Sequence, residues 1–411
     1  MYVLSFLDRA NIAFAKQAFQ SATGVTDIAF AFGASIFFIG YAIFEFPSNL
    51  MLHKFGARRW MSRIMISWGI VASCMLFVMT DASFVAVRLL LGAMEAGFFP
   101  GAILYMTYWF PAKARGRIFG VFYIGAPLAM IFGGPIAGAF LEMDGLMGLQ
   151  GWQWLFLIEG VATVLFGFFV WWYLTDHPAD AHWLTEEERT VLAEEIATED
   201  QAKEASGHVK LGQALKDPLL LKFCAIYFLI QVAGYGLTYY MPSQIAGLLQ
   251  MKIGLTVGFV TAIPWTFATI AAFFYPPLAV KLNRRMGFGV AALVIVAIGL
   301  SASGNLPPAW AVLALCFAEA GVICGQPVFW TFPSGYYTGY AAAGSLAVIN
   351  AVGNLGGFCA PNLKVWAELG FGPNAGLYAL AAAPFIGAII LYSIKSKVPA
   401  DGAVEAPAAI G

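Results

Sequence analysis

Arg88 and Glu95 are two charged residues within one apolar stretch, RLLLGAMEAGFFP. They are seven residues apart, and at about 100° per residue of an α-helix this spacing returns to nearly the same face two turns later. Both side chains can therefore point into one cavity, where an arginine offers a planar fork for a carboxylate and a glutamate offers a titratable group. The alternative is a structural ion pair that fixes this helix to a neighbour.

Asp8 and Arg9 are a second pair of charges in an apolar segment. Because neighbouring helical residues point about 100° apart, the two cannot face the same neighbour. One arrangement has Arg9 lining a cavity and Asp8 facing the helix that carries Glu95. The alternative is that both lie near a helix end and extend to water. Only seven residues precede Asp8, so either the natural start lies upstream of Met1 or the first helix is unusually short.

Uncharged polar residues occur in two later apolar segments. Gln231 lies in one, and Asn350 and Asn354 share a helical face in the other at a spacing of four residues. They are candidates for substrate contacts, with interhelical hydrogen bonding as the alternative. Three further glutamates in apolar segments are interpreted as structural: Glu45, Glu159 and Glu319.

The composition makes these charges informative. Hydrophobic residues are 60% of the 411, charged residues only 11%, and the mean hydropathy is +0.77. Soluble domains are about 45–50% apolar and about 25% charged, so the sequence predicts an integral membrane protein. A charge at the centre of a bilayer costs about 2.5–3.5 kcal/mol on insertion scales, which makes each one a site hypothesis. The net charge of −1 excludes nucleic acid as a partner.

Twelve apolar runs are long enough to span a bilayer as helices, which takes about 20 residues each. The predicted spans are approximately 1–21, 28–52, 60–80, 84–109, 116–140, 153–174, 218–247, 255–281, 286–304, 309–333, 341–367 and 374–394. Continuous apolarity excludes the alternating pattern of a β-barrel. We therefore predict an all-α membrane protein.

Lysine and arginine collect on one side of these predicted spans. Seventeen of the 22 bases fall in alternate connections or after the last span, and basic loops are cytoplasmic. The sequence therefore predicts that both termini are cytoplasmic. Residues 175–217 hold eleven of the 23 acids and form a polar loop, in which Thr185 and Glu188 are spaced as a capping box.

The position of this loop predicts two halves. We expect an amino-terminal six-helix bundle at 1–174, a cytoplasmic linker at 175–217, a carboxyl-terminal six-helix bundle at 218–394 and a cytoplasmic tail at 395–411. The sequence Glu-Ala-Gly begins at Glu95 in the fourth span and again at Glu319 in the tenth, which favours a duplicated unit. Transporters of this organisation hold substrate near the midplane.

Other chemistries lack their motifs. The five cysteines are isolated in apolar stretches, and the four histidines lie in polar connections without a second donor at ligand-like spacing. There is no phosphate loop and no nucleophile elbow. We expect no metal, no cofactor and no enzymatic activity.

Five stretches resemble known transporters. The run KFGARR after the second span resembles the loop signature of the major facilitator superfamily, although Asn49 and His53 replace its usual glycine and acid. LDRANIAFA, FEFPSN, RLLLGAMEAGFFPG and GWQWLFLIEG resemble the anion:cation symporter family, especially its tartrate, 4-hydroxyphenylacetate and phthalate permease branch. The similarity covers essentially the whole chain. It implies the major facilitator fold of two pseudo-symmetric six-helix bundles.

The resemblance also implies residue roles. Asp8 and Glu95 match proton-coupling groups, Arg9 matches the arginine that binds a substrate carboxylate, and Arg88 matches the partner of the fourth-span glutamate. Tyr41 matches a tyrosine near the substrate.

Two positions of the carboxyl half match less closely. Gln231 and Asn350 match polar substrate contacts.

Phe6 replaces a tyrosine of these relatives, which favours a less hydroxylated or partly aromatic substrate.

The implied function is proton-coupled uptake of an organic acid anion by alternating access, driven by the proton gradient. We expect a monomer in the bacterial inner membrane, surrounded by lipid. Two alternatives stay open: an antiporter that exports a metabolite or drug, and an anion sensor that does not transport.

Overall fold

The computed structural model describes residues 1–205, 217–337 and 339–394. The predicted cytoplasmic tail, and residues 206–216 of the predicted linker, lie outside this range. The described residues form fifteen α-helices. Their bounds are α1 Tyr2–Thr23, α2 Asp27–Phe55, α3 Ala57–Ser73, α4 Asp81–Glu95, α5 Phe98–Trp109, α6 Ala112–Tyr123, α7 Gly125–Leu141, α8 Gly151–Tyr173, α9 Glu186–Ala205, α10 Pro218–Leu249, α11 Leu255–Lys281, α12 Arg285–Ser303, α13 Pro308–Tyr336, α14 Gly339–Phe371 and α15 Ala375–Ser393.

Within the described ranges, eleven helical segments are long and apolar enough to cross a membrane. Two of them are composite, because α4 and α5 together form Asp81–Trp109 and most of α6 joins α7 in Arg117–Leu141. Helix α1 is the twelfth: its 22 residues are long enough to span, but its charged residues lower its apolarity. The twelve helices match the predicted spans, and the predicted fold class is confirmed.

The outer surfaces of these helices are apolar. Phe46, Trp172 and Phe274 are 71%, 78% and 70% exposed, and many other large apolar side chains are exposed with them. Soluble monomers rarely present such continuous apolar surface. The pattern is that of helices in contact with lipid.

The chain divides into two compact units. One comprises Met1–Gly207 with Pro242–Ala262, and the other comprises His208–Met241 with Ile263–Gly411. The first unit thus includes the end of α10 and the start of α11, which the predicted domain boundary at 218 assigns to the carboxyl-terminal bundle.

Glycine contacts explain why the start of α11 groups with the first unit. A Cβ atom at Gly134 of α7 would lie 2.6 Å from the carbonyl oxygen of Gly258, and one at Gly138 would lie 2.5 Å from that of Gly254. Small residues of this kind allow two helix backbones to approach closely. The carboxylate of Glu142 also accepts a hydrogen bond at 2.9 Å from the amide of Leu255, the first residue of α11.

The fourth span breaks directly after Glu95. Gly97 has φ +84° and separates α4 from α5, a left-handed conformation that glycine adopts without steric cost. The matching Gly321 lies inside the continuous helix α13. The two Glu-Ala-Gly sequences therefore have different local structures.

The predicted capping box at the start of α9 is present. The Thr185 amide donates to the Glu188 carboxylate at 2.9 Å, and the Glu188 amide donates to the Thr185 hydroxyl at 3.2 Å. Hydrogen bonds from the backbone and side chain of Thr185 lower the pKa of this exposed carboxyl, because they favour its charged form.

Candidate functional site

Glu95 forms a buried ion pair with Arg9 in the first unit. Its Oε1 lies 2.7 Å from Nη2 of Arg9 and accepts hydrogen bonds from Nε of Arg9 at 2.8 Å and from the Ser5 hydroxyl at 2.6 Å. The side chain of Glu95 is fully buried and that of Arg9 is 14% exposed. The second oxygen, Oε2, accepts no hydrogen bond from the described residues.

Arg9 and Glu95 stabilise each other strongly through this contact. Two guanidinium nitrogens on one carboxylate oxygen are charge-assisted contacts, about twice as strong as neutral hydrogen bonds. Leaving one member of a buried pair alone costs about 3–5 kcal/mol, because a charge remains without compensation. Arg9 can thus separate from Glu95 only when another anion pairs with its guanidinium, or when a proton neutralises the Glu95 carboxylate.

Asp8 contacts different helices from those expected. Its Oδ2 accepts hydrogen bonds from Nε1 of Trp68 in α3 at 2.6 Å and from the hydroxyl of Thr163 in α8 at 3.0 Å. The expected arrangement, with Asp8 facing the fourth span, is therefore wrong, because Arg9 is the residue that reaches Glu95. The cause is the rotation of α1 about its axis, which the spacing of the two residues leaves undetermined.

Arg88 lies on α4 and is 1% exposed. Its guanidinium donates to the carbonyl oxygens of Gly33 and Ala34 in α2, each at 3.4 Å, and lies 5.3 Å from the centroid of the Phe37 ring. The buried face of α4 thus carries both Arg88 and Glu95, as their spacing predicts.

Aromatic rings surround the Arg9 guanidinium. The centroids of Phe6, Phe37 and Tyr41 lie 5.8, 5.2 and 5.1 Å from its central carbon. These cation–π contacts fix the fork without supplying a second anion. Of the site residues predicted in the amino half, Tyr41, Arg9 and Glu95 are therefore neighbours.

A row of amide side chains crosses the second unit. Gln326 of α13 donates to Gln231 of α10 at 2.7 Å, and Gln231 donates to Asn354 of α14 at 3.3 Å. Asn350 lies one turn before Asn354 on α14. The predicted residue Gln231 is thus the centre of an interhelical network, and its role as a substrate contact stays a prediction.

Four residues that make polar contacts at these sites were not predicted from the sequence. They look ordinary in a membrane helix: Ser5, Trp68, Thr163 and Gln326. Hydroxyls and indoles are inexpensive in a helix compared with charges, so composition gave no signal for Ser5, Trp68 and Thr163, whereas Gln326 is an amide of the same kind as Gln231. The described residues contain no group of three or more His, Cys, Asp or Glu side chains placed to hold a metal ion.

Spanning helices that bury ionisable residues are typical of secondary transporters, and this is the class of protein that the fold and the site define. A model of the Major Facilitator Superfamily matches residues 1–361. The chain belongs to the major facilitator superfamily. It is a multi-pass membrane transporter and not an enzyme.

Curated relatives and solved structures agree with this assignment. The chain is 44% identical to the inner membrane transport protein RhmT of Escherichia coli K12 over 396 residues, 96% of this chain and 92% of that protein. It is 40% identical to a putative tartrate transporter of Agrobacterium vitis over 411 residues, 99% of this chain and 94% of that protein. These relatives confirm the resemblance to the tartrate permease branch.

The fold has a close counterpart among solved structures. The xylose transporter XylE from E. coli superposes with a TM-score of 0.74 at 16% identity, covering 96% of this chain and 95% of that one. At this identity the likeness concerns the fold alone.

Proposed function

We propose that the protein takes up an organic acid anion together with protons, in the manner of a symporter. The substrate class is a hydroxy-, dicarboxylic or aromatic acid such as tartrate. The name of the Agrobacterium relative supports this class, and so does a buried arginine whose fork matches a carboxylate.

The observation that carries the proposal is the Arg9–Glu95 pair. A substrate carboxylate and the Glu95 carboxylate are competing ligands for one guanidinium. Protonation of Glu95 removes its charge and leaves Arg9 for the substrate, whereas deprotonation restores the pair and displaces the substrate. Proton and anion binding are thereby linked through one residue, because moving net charge through a low dielectric is costly.

The other predicted residues have supporting roles in this scheme. Asp8 is a second proton-binding group, held by Trp68 and Thr163. Tyr41 and Arg88 shape the surroundings of Arg9, and we assign them to substrate binding. In the second unit Gln231 and Asn350 are the proposed polar contacts for substrate hydroxyl or carboxylate groups.

The location follows from the same comparison. The RhmT relative is an inner membrane transport protein, and we assign this chain to the bacterial inner membrane with both termini cytoplasmic. We expect it to act as a monomer without a cofactor, with the proton gradient as its driving force.

The test is uptake into proteoliposomes under an imposed pH gradient, with a panel of hydroxy-, dicarboxylic and aromatic acids. The wild-type protein should accumulate at least one acid when the outside is acidic. Glu95→Gln should retain exchange of that acid across the membrane but lose proton-driven accumulation, because a permanently neutral side chain leaves Arg9 free and binds no proton.

The matched control is Glu187→Gln, which neutralises an exposed glutamate of α9 and should leave accumulation unchanged. Full concentrative uptake by Glu95→Gln would show that Glu95 is not the coupling residue. Efflux driven by an inward proton gradient would identify an exporter, and binding without any flux would identify a sensor.

A further inference from the structure

A second polar network connects α1 and α8, away from the Arg9–Glu95 pair. Asp8 contacts Thr163 at 3.0 Å, and one turn along both helices the Asn11 amide donates to Oε2 of Glu159 at 2.8 Å. All the contacts of this network are within the first unit. Asn11 is 3% exposed and Glu159 is 6% exposed.

Three oxygens of this network have no donor among the described residues: Oδ1 of Asp8 and two oxygens of the Asn11–Glu159 pair. Oδ1 of Asn11 and Oε1 of Glu159 are buried and accept no hydrogen bond from the described residues. Buried polar atoms nearly always have a partner, because an unsatisfied one is destabilising. The protein atoms alone therefore leave the two oxygens of the Asn11–Glu159 pair without hydrogen-bond donors.

A small cavity lies where these oxygens are. Asn11 and Glu159 line it, with Leu7 and Phe14 of α1 and with Gly133 and Ala137 of α7. About 10 Å³ of it is open to the centre of a water molecule. That is about the space of one water, and a buried water needs at least two polar partners.

We propose that Asn11 and Glu159 form a binding site for one proton and one water molecule. Glu159 is a neutral carboxylic acid there. Its Oε2 is the carbonyl oxygen that accepts from Asn11, and its Oε1 is the hydroxyl that donates to the water. The water donates in turn to Oδ1 of Asn11, so every buried polar atom of the pair acquires a partner.

The surroundings favour the neutral acid. On α1 the charged neighbours are Asp8, an acid, and Arg9, which is engaged by Glu95; the cavity lining on α7 carries no ionisable group. Helix α3 meets α8 at this level through Gly69 and Ser73, against Gly160.

The basic residues of α3 lie closer to its other end: Arg58, Arg59 and Arg63. A buried carboxylate without a cation beside it is strongly unfavourable, so the proton remains on Glu159. This inference stands whether or not the protein is a symporter.

Infrared difference spectroscopy of the full-length protein in lipid nanodiscs tests the proton directly. At neutral pH the wild-type protein should show a carbonyl-stretch band of a protonated carboxylic acid that Glu159→Gln removes. Asn11→Ala should keep this band but move it to higher frequency, because the carbonyl oxygen loses its donor. Glu95→Gln is the matched control and should remove no such band, since Glu95 is ionised in its pair with Arg9.

The water is tested in the same samples. Gly133→Ala adds a methyl group to the cavity wall and should abolish the bound-water band that shifts in H₂¹⁸O. The inference is overturned if Glu159→Gln removes no carboxylic acid band, if Asn11→Ala leaves the frequency of that band unchanged, or if the water band persists in Gly133→Ala. The uptake assay with Glu95→Gln is independent of all three results.

Discussion

Arg9 is the residue on which the proposed chemistry converges. Its guanidinium contacts one oxygen of Glu95 and lies among the rings of Phe6, Phe37 and Tyr41. The rings fix its orientation, and the Glu95 carboxylate neutralises its charge. In the proposed mechanism a substrate anion competes with Glu95 for this guanidinium. A planar fork held in this way is a preorganised carboxylate site.

Truncation of this side chain should remove anion binding. In Arg9→Ala we expect substrate affinity to fall by about 2–5 kcal/mol, roughly 30-fold to several thousand-fold, because the substrate carboxylate loses its charged partner. Arg9→Lys should be intermediate, since it keeps the charge without the fork. Isothermal titration calorimetry with the acid found by the uptake assay measures both.

Lys16→Ala is the control on the same helix, since Lys16 pairs instead with the exposed Asp27 at 3.0 Å. It should bind the acid with wild-type affinity. Near-normal affinity of Arg9→Ala would show that Arg9 is not the carboxylate clamp.

Close helix crossings hold the elements that carry the site. A Cβ atom at Gly92 of α4 would overlap the carbonyl oxygen of Phe37 in α2, and one at Gly40 would overlap that of Leu89. The crossing brings the backbones of α2 and α4 together between Arg88 and Glu95. It also places the Phe37 ring beside the guanidinium groups of both Arg9 and Arg88.

Gly92→Ala should therefore separate α2 from α4. We expect a loss of about 1–3 kcal/mol in stability, as for other overpacked positions, with a lower thermal midpoint and reduced transport. The atoms in the way belong to the backbone, so no rotamer change relieves the overlap. Thermal unfolding followed by tryptophan fluorescence measures the shift.

Gly120→Ala is the matched control. Gly120 is also helical, but a Cβ there meets no atom within 4 Å, so the change should be neutral or slightly stabilising. Equal thermal midpoints for the two variants would contradict the close crossing.

At the scale of the molecule, the chain forms two compact units whose boundaries in the chain fall at Gly207 and His208, within the predicted linker, and again inside α10 and α11. The segment Pro242–Ala262 groups with the amino-terminal unit, although the rest of α10 and α11 groups with the other. Helices α10 and α11 therefore each belong in part to both units.

The orientation predicted from basic residues can be tested on the whole protein. Leu146 lies in the exposed connection between α7 and α8, and Glu187 lies on the exposed helix α9. A membrane-impermeant maleimide should label Leu146→Cys in intact cells, but Glu187→Cys only after permeabilisation. The wild-type protein is the control for the native cysteines, which lie buried or half-buried. The reverse labelling pattern would contradict cytoplasmic termini.

The sequence by itself determined the membrane environment, the twelve spans and the residues that stand out by charge. The spans can be predicted from sequence because each is a local run of apolar residues whose length must match the bilayer. Asp8, Arg9, Arg88 and Glu95 are readable because a charge in such a run is costly. The family motifs added their expected roles.

Only the tertiary structure decided which of these residues meet. Arg9 pairs with Glu95, 86 positions away, whereas Asp8 meets Trp68 and Thr163. The rotation of α1 about its axis selects between these pairings, and that rotation is set by packing against several other helices at once. The contact between Glu159 and Asn11 could not be predicted for the same reason, because no local sequence pattern shows which face of one helix packs against another.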